Sequence, residues 1–298
     1  MKKNIIYAII ALVLILSSLF AFYQINQIEK KTLIKKEYYS KPEYPYGYSK
    51  LNNWQKKLYD ILDKTEIDIN DTYELDEEKN IDEVDLVLKL YMFNNPNSRK
   101  IYNSVENTIP YSGGGVIGTK TTNKILVTHE INLNYDLEVQ RLKEANEKAD
   151  KIIAEIIDEN DSDYDKLYKI YNYMINHTKF DSGNQLSPVT SIIEDSQSLT
   201  KERYEKSVLD SSAYGALVYE KAVCTGFAKG FYMLARKANI YVLYVTSNKL
   251  EHAWNIVWLD GNYYMIDVQA GLFLFDDQYV GDPIGNIEMP KVAKAYKR

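Results

Sequence analysis

Apolar positions recur along this chain at three spacings, and each spacing predicts a different kind of element. The first run is unbroken. Residues 5–23 contain no charge, and nineteen residues at ~1.5 Å rise reach ~28 Å, about the thickness of a bilayer core. That predicts one transmembrane span behind a short tail, residues 1–4. The run ends in Leu19, Phe20, Ala21, Phe22 and Tyr23, where no small-residue cleavage pattern fits, and no cysteine follows it to carry a lipid. An uncleaved anchor is therefore expected, not a removed leader or a lipoprotein. Lys2, Lys3 and the α-amino group favour a cytoplasmic N-terminus, while Lys30, Lys31, Lys35 and Lys36 argue the reverse. The very short tail is typical of an export signal, so the bulk of the chain is expected outside the cytoplasm.

The second spacing is helical. Trp54, Leu58, Ile61 and Leu62 repeat at helical intervals after residue 51. Val84, Leu88 and Tyr91 do so over residues 81–93, stopped by Asn94, Asn95 and Pro96. Residues 135–157 form the longest stripe, through Leu142, Ala145, Ala149, Ile152, Ile153 and Ile156. A further helix through Met174 buries Leu167, Ile170 and Tyr171, with Asp161, Ser162 or Asp163 as its N-cap. That cap accounts for the acidic loop before it better than a cation site does. Ser211 or Ser212 can cap a short helix over residues 213–217. A last helix over residues 225–238 turns Phe227, Phe231, Leu234, Ala235 and Ala238 to one side. Gly226 and Gly230, four apart, allow a neighbouring element to come close to it.

The third spacing alternates. Residues 121–133 read as a strand, residues 240–246 as another, and residues 252–259 and 262–268 flank Asp260 and Gly261, a two-residue hairpin signal. Other stretches have no period. Residues 24–50, with Pro42, Pro45 and Gly47, read as a stalk, and the acidic residues 68–79 as a solvated linker without the glycine or spacing of a calcium loop. Gly113, Gly115 and Gly118 spell a dinucleotide fingerprint but precede a strand-like segment, so a glycine turn leading into a hairpin is expected. Residues 180–209 are the least regular; a binding loop and plain surface are both open. His129 is expected as a surface or packed histidine, and His177 as a helix-end partner.

Composition narrows the function. Hydrophobic residues at 45% and charged residues at 26% of 298 give ample core. The 27 tyrosines, against 8 Phe and 3 Trp, are expected half-buried with wet hydroxyls. A net charge of −6 without a basic face argues against a nucleic-acid partner. One cysteine excludes an intrachain disulfide and a multi-cysteine zinc site, and no metal or cofactor is expected.

That cysteine, Cys224, falls where an extended segment turns into a helix. A free cysteine is often only a small core residue, but a helix N-terminus favours the thiolate. If the Asp260-Gly261 turn holds, Trp254 stands opposite Asp267. His252 and Asp267 then share a sheet face as diagonal neighbours, Cβ atoms ~7–8 Å apart. The carboxylate can orient the imidazole and leave its other nitrogen to the sulfur, the logic of a triad. A slip of one residue would separate them.

Four blocks carry a resemblance: Ser212-Ala-Tyr-Gly-Ala-Leu217, Ala222-Val-Cys-Thr-Gly-Phe-Ala228, Glu251-His-Ala-Trp-Asn255 and Leu259-Asp-Gly-Asn-Tyr-Tyr-Met-Ile-Asp-Val268. In this order they resemble the transglutaminase-like superfamily, over about residues 163–268 with the preceding helix also fitting. The resemblance implies a papain-like α+β core, a Cys-bearing helix packed on an antiparallel sheet bearing His and Asp. It implies Cys224 as nucleophile, His252 as general acid/base and Asp267 as orienter, with Tyr214 or the Cys224 amide at the oxyanion and Thr225 and Trp254 beside the substrate. Two positions depart from the family: Gln269-Ala-Gly-Leu272 follows Asp267 in place of Thr-Trp-Asp-Asp, and Thr225 replaces Glu or Gln.

The expected organisation is anchor, stalk, a helical and hairpin support region over residues 51–160, and a catalytic domain over residues 161–298. The expected function is a single-pass, extracytoplasmic thiol enzyme acting on peptide or protein amides, cell-wall peptides or surface proteins among them. The alternative is a binding or scaffold domain that kept the fold without the activity.

Overall fold

The strongest periodic segments become helices within a residue or two of their expected ends. The computed structural model describes residues 45–64, 70–98, 100–106, 108–110, 116–118, 121–128, 134–181, 201–276 and 279–296. The expected anchor at residues 5–23, most of the stalk, His129 and residues 182–200 lie outside them. Among the described residues no helix is long and apolar enough to cross a membrane.

The helices are α1 (Asn53–Lys64), α2 (Ile81–Asn94), α3 (Tyr135–Ile156), α4 (Asp163–His177), α5 (Lys201–Asp210), α6 (Ala213–Leu217) and α7 (Cys224–Lys237). Their starts follow side-chain capping: Asn80, Asn134, Ser162 and Ser212 accept from the N–H groups of Asp82, Leu137, Asp165 and Gly215. In α1 the buried face is Gln55, Leu58, Tyr59 and Leu62, turned from the expected stripe. Tyr59 draws it round, its ring edge-on to Tyr48 at 5.4 Å and to Tyr91 at 5.3 Å. Helix α5 occupies part of the segment expected to be irregular. Its polar sequence carries almost no apolar stripe, so periodicity could not find it.

Strands β1 (Thr72–Asn80), β2 (Ile101–Val105), β3 (Thr108–Pro110), β4 (Val116–Gly118) and β5 (Thr121–Thr128) come next. They form an antiparallel sheet in the order β1-β5-β2 and a separate β3-β4 hairpin. Strand β1 corrects the expected linker. Its acidic side chains stand outward on a sheet edge, where Glu74 pairs with Lys124 at 3.2 Å. Charge on an edge strand and charge in a linker look alike in a sequence. Strand β5, not a helix, follows Gly118, so the dinucleotide fingerprint lacks its structural context.

Two short strands, β6 (Lys179–Phe180) and β7 (Lys221–Ala222), pair in parallel just before α7. The last four, β8 (Val242–Ser247), β9 (His252–Leu259), β10 (Asn262–Asp267) and β11 (Leu272–Phe275), make an antiparallel sheet in the order β11-β10-β9-β8.

Residues Glu43–Arg298 form one compact unit. Residues 45–50, expected as the end of a stalk, are packed into it: Tyr46 N–H donates to Asn94 Oδ1 at 3.0 Å. Gly47, at φ 77°, leaves a Cβ only 3.1 Å from Leu90 and 3.2 Å from Ile287. One core joins Ala145, Ala149 and Ile152 of α3 to Phe227 and Phe231 of α7 and to Val242, Val257 and Ile266 of the second sheet. It runs across the expected division at residue 160. A second core joins α1, α2 and the first sheet to Ile284 and Ile287 near the chain's end. A third covers the other sheet face with Leu243, Val245, Trp254, Ile256 and Met265.

Candidate active site

Cys224 opens α7 because the chain around it is tied down on the N-terminal side. Val223 N–H donates to the Asp210 carbonyl at 3.0 Å, and Gly226 lets that carbonyl approach the first turn. A Cβ there would stand 2.2 Å from the Asp210 oxygen, and one at Gly230 would stand 2.9 Å from Ala216 Cβ. The two glycines admit the corner between α5 and α6. No side chain caps α7, and the first N–H groups of any helix have no partner within it. Cys224 is half-exposed at this positive end.

The partner side depends on one turn. Asp260 and Gly261 both take positive φ, 48° and 82°, the two-residue geometry that matches strand twist. Pairing then runs from Asn262↔Leu259 to Ile266↔Asn255, the expected register, and one further step brings Asp267 level with Trp254. His252 and Asp267 share a face, and His252 Nε2–H donates to Asp267 Oδ2 at 2.6 Å. Asp267 is 1% exposed, and its second oxygen accepts from Ala270 N–H at 3.0 Å. With Nε2 occupied, Nδ1 is the remaining ring nitrogen, and Cys224 lies close enough to help raise the imidazole's pKa. Burial pushes the His252 pKa down, but the hydrogen bonds and charges of Asp267 and Cys224 outweigh it and raise it from 6.5 to about 9. The Trp254 ring stacks near the imidazole at 6.1 Å, and the Tyr279 ring stands edge-on to it at 5.7 Å.

The structure thus gathers Cys224, His252 and Asp267. Thr225 is buried in the first turn of α7 and Trp254 is buried beside His252; among the described residues neither Thr225 Oγ1 nor Trp254 Nε1 has a hydrogen-bond partner. Tyr214 is different. Arg141 lies over its ring at 5.8 Å, and burial and then the charge of Glu144 push its phenol up, so it faces α3. A short helix turns successive residues about 100° apart, and Tyr214 falls on the outer side of α6.

Three tyrosines escaped the sequence reading. Burial and then the charge of Cys224 push the Tyr244 phenol up. Burial and then the charge of Asp267 do the same for Tyr171 and Tyr279. Tyr244 and Tyr171 sit in apolar stripes and read as ordinary core; Tyr279 lies beyond every periodic segment. His177 Nδ1 meets the Tyr173 carbonyl at 2.8 Å and stacks on that ring at 4.1 Å, an arrangement internal to the end of α4. Among the described residues no group of His, Cys, Asp and Glu could hold a metal ion.

Residues 150–268 match the family model described as the transglutaminase-like superfamily. The match takes in the span of the four sequence blocks and the end of α3, so the chain carries a transglutaminase-like superfamily domain there. No curated protein matches the chain. Among solved structures, one described as a TGase is similar at 17% identity, with 60% of this chain and 47% of that chain covered and a TM-score of 0.31. The chain therefore spans about half the length of that protein. Another, from Cytophaga hutchinsonii and described as a "Putative Cysteine Protease", is similar at 16% identity, with 68% of each chain covered and a TM-score of 0.26.

Proposed function

We propose that this protein is a thiol enzyme that forms a thioester between Cys224 and the carbonyl carbon of a peptide or protein amide. One observation carries the reading: a half-exposed cysteine at a helix N-terminus lies beside, and helps raise the pKa of, a histidine whose Nε2 is held 2.6 Å from a buried carboxylate. An imidazole with a pKa of about 9 is charged at neutral pH, which favours a thiolate beside it. The thiolate attacks the amide carbon, and the carbonyl oxygen becomes an oxyanion that the Cys224 backbone N–H can receive. His252 then gives its proton to the leaving nitrogen, the C–N bond breaks, and the thioester remains. Neutral His252 next takes a proton from water or an amine, whose attack on the thioester returns the thiolate. Asp267 keeps the imidazole oriented through both steps.

Transfer to an amine makes the enzyme a transglutaminase; transfer to water makes it a deamidase or a protease. The anchor expected at residues 5–23 places it on the membrane with the enzyme outside, where cell-wall peptides or surface proteins are its substrates. Glutamine-containing peptides, with and without a primary amine, test the chemistry against Cys224→Ala. An amine-dependent conjugate, an amine-independent glutamate or a new peptide end identifies the reaction. Loss of none of these in Cys224→Ala, or no turnover at all, leaves the binding-domain alternative. Protease shaving of intact cells tests the location, which a protected domain overturns.

A further inference from the structure

We propose that Asn255 is the positioning residue that sets Cys224 against His252, an inference that rests on the thiol-enzyme reading above. Asn255 is 1% exposed, and its Nδ2 donates to two carbonyls, Ala228 at 3.1 Å and Leu243 at 3.2 Å. Ala228 lies one turn beyond Cys224 on the same side of α7. Leu243 belongs to β8, and Asn255 itself lies three residues after His252 on β9. One amide nitrogen therefore joins the helix that bears the sulfur to the strand that bears the imidazole.

This link is needed because the faces diverge. Val257 of β9 packs into the core shared with α7, whereas Trp254 packs into the core on the opposite sheet face. His252, two residues before Trp254, shares that face at the first position of β9, while Cys224 opens α7 on the other side. The apolar contacts of Phe227, Phe231 and Val257 hold α7 on the sheet but do not direct it, since hydrophobic attraction has no preferred angle. A slide of the helix or a turn about its axis leaves that burial nearly unchanged while moving the sulfur. Hydrogen bonds have a preferred angle and length. A leucine would fill the same volume without the cost of burying an amide, so the amide's role is one of direction.

Iodoacetamide alkylation of Cys224 at pH 6 and at pH 9 tests the proposal in Asn255→Leu, with Ile152→Val as a control that loosens the same core from α3. In Asn255→Leu the pH 6 rate should fall at least about tenfold while the pH 9 rate changes little, and acyl transfer should fall by on the order of 10²-fold. Ile152→Val should melt earlier yet keep both rates. If Asn255→Leu does not fold, Asn255→Ser is read in its place, because its hydroxyl is too short to reach either carbonyl. A folded variant with the wild-type rate at pH 6 overturns the proposal. So does an equal fall at both pH values, which reports access and not pairing. A wild-type rate at pH 6 no faster than free cysteine defeats the thiol-enzyme reading itself, and this inference with it.

Discussion

His252 is the residue through which this fold feels pH. Its pKa rises from 6.5 to about 9 on folding, so the protonated imidazole stabilises the folded state fully below pH 6.5. That contribution is lost as the pH climbs through about 9. Cys224 is one of the causes of that rise, so the part that Asp267 supplies is read in Cys224→Ala. There the upper limit comes down, because the hydrogen bond and charge of Cys224 are gone while Asp267 remains. The melting temperature of Cys224→Ala should fall as the pH rises above 6.5, and Cys224→Ala combined with His252→Gln should show no such fall. A fall of equal size in both would assign the dependence to other groups. At this scale the sequence is informative where residue type is distinctive: Cys224, His252 and Asp267 can each be singled out from it, and the register that pairs His252 with Asp267 can be read from the turn. It was uninformative where a side chain's role depends on which way it turns. Tyr214 stands in a matching block and faces Glu144, while Tyr244 looked like core and lies near the thiol.

At the scale of elements, two devices build the site, and both were legible for the same reason. The turn at Asp260 and Gly261 needs two positive φ values, and few residue pairs supply them, so it fixed the register that brings His252 to Asp267. The glycines of α7 admit a neighbouring backbone that any side chain would exclude. Gly226→Ala would press a Cβ to 2.2 Å from the Asp210 oxygen, and should destabilise the protein by about 1–3 kcal/mol. It should also displace the N-terminus of α7. Thermal melting checks the first effect, and a wild-type melting temperature would contradict the close approach. What stayed hidden were elements without a stripe. Strand β1 presents charged residues to solvent and helix α5 has a polar sequence, and their partners rather than their own pattern decide their form.

At the scale of the molecule, the boundary between support region and catalytic region does not separate two cores. Helix α3 lies in the core of the site, and the chain's end returns to the α1–α2 core through Ile284 and Ile287. On the way Tyr279 reaches His252, and Asp282 bonds the turn before β9, accepting from Asn248 N–H at 2.7 Å. Sequence periodicity ends before this segment, and only long-range packing defines it. Ile287→Ala should therefore cost about 2–5 kcal/mol and lower far-UV and near-UV unfolding together as one transition. Two separated transitions would mean two independent units. The central claim is that Cys224 and His252 work as a pair, and alkylation of Cys224 by iodoacetamide at pH 6 tests it most directly, because a free cysteine is almost wholly thiol there. Wild-type protein should react fast and His252→Ala should slow it at least tenfold; a wild-type rate equal to that of free cysteine, or one that His252→Ala leaves unchanged, would contradict the pairing.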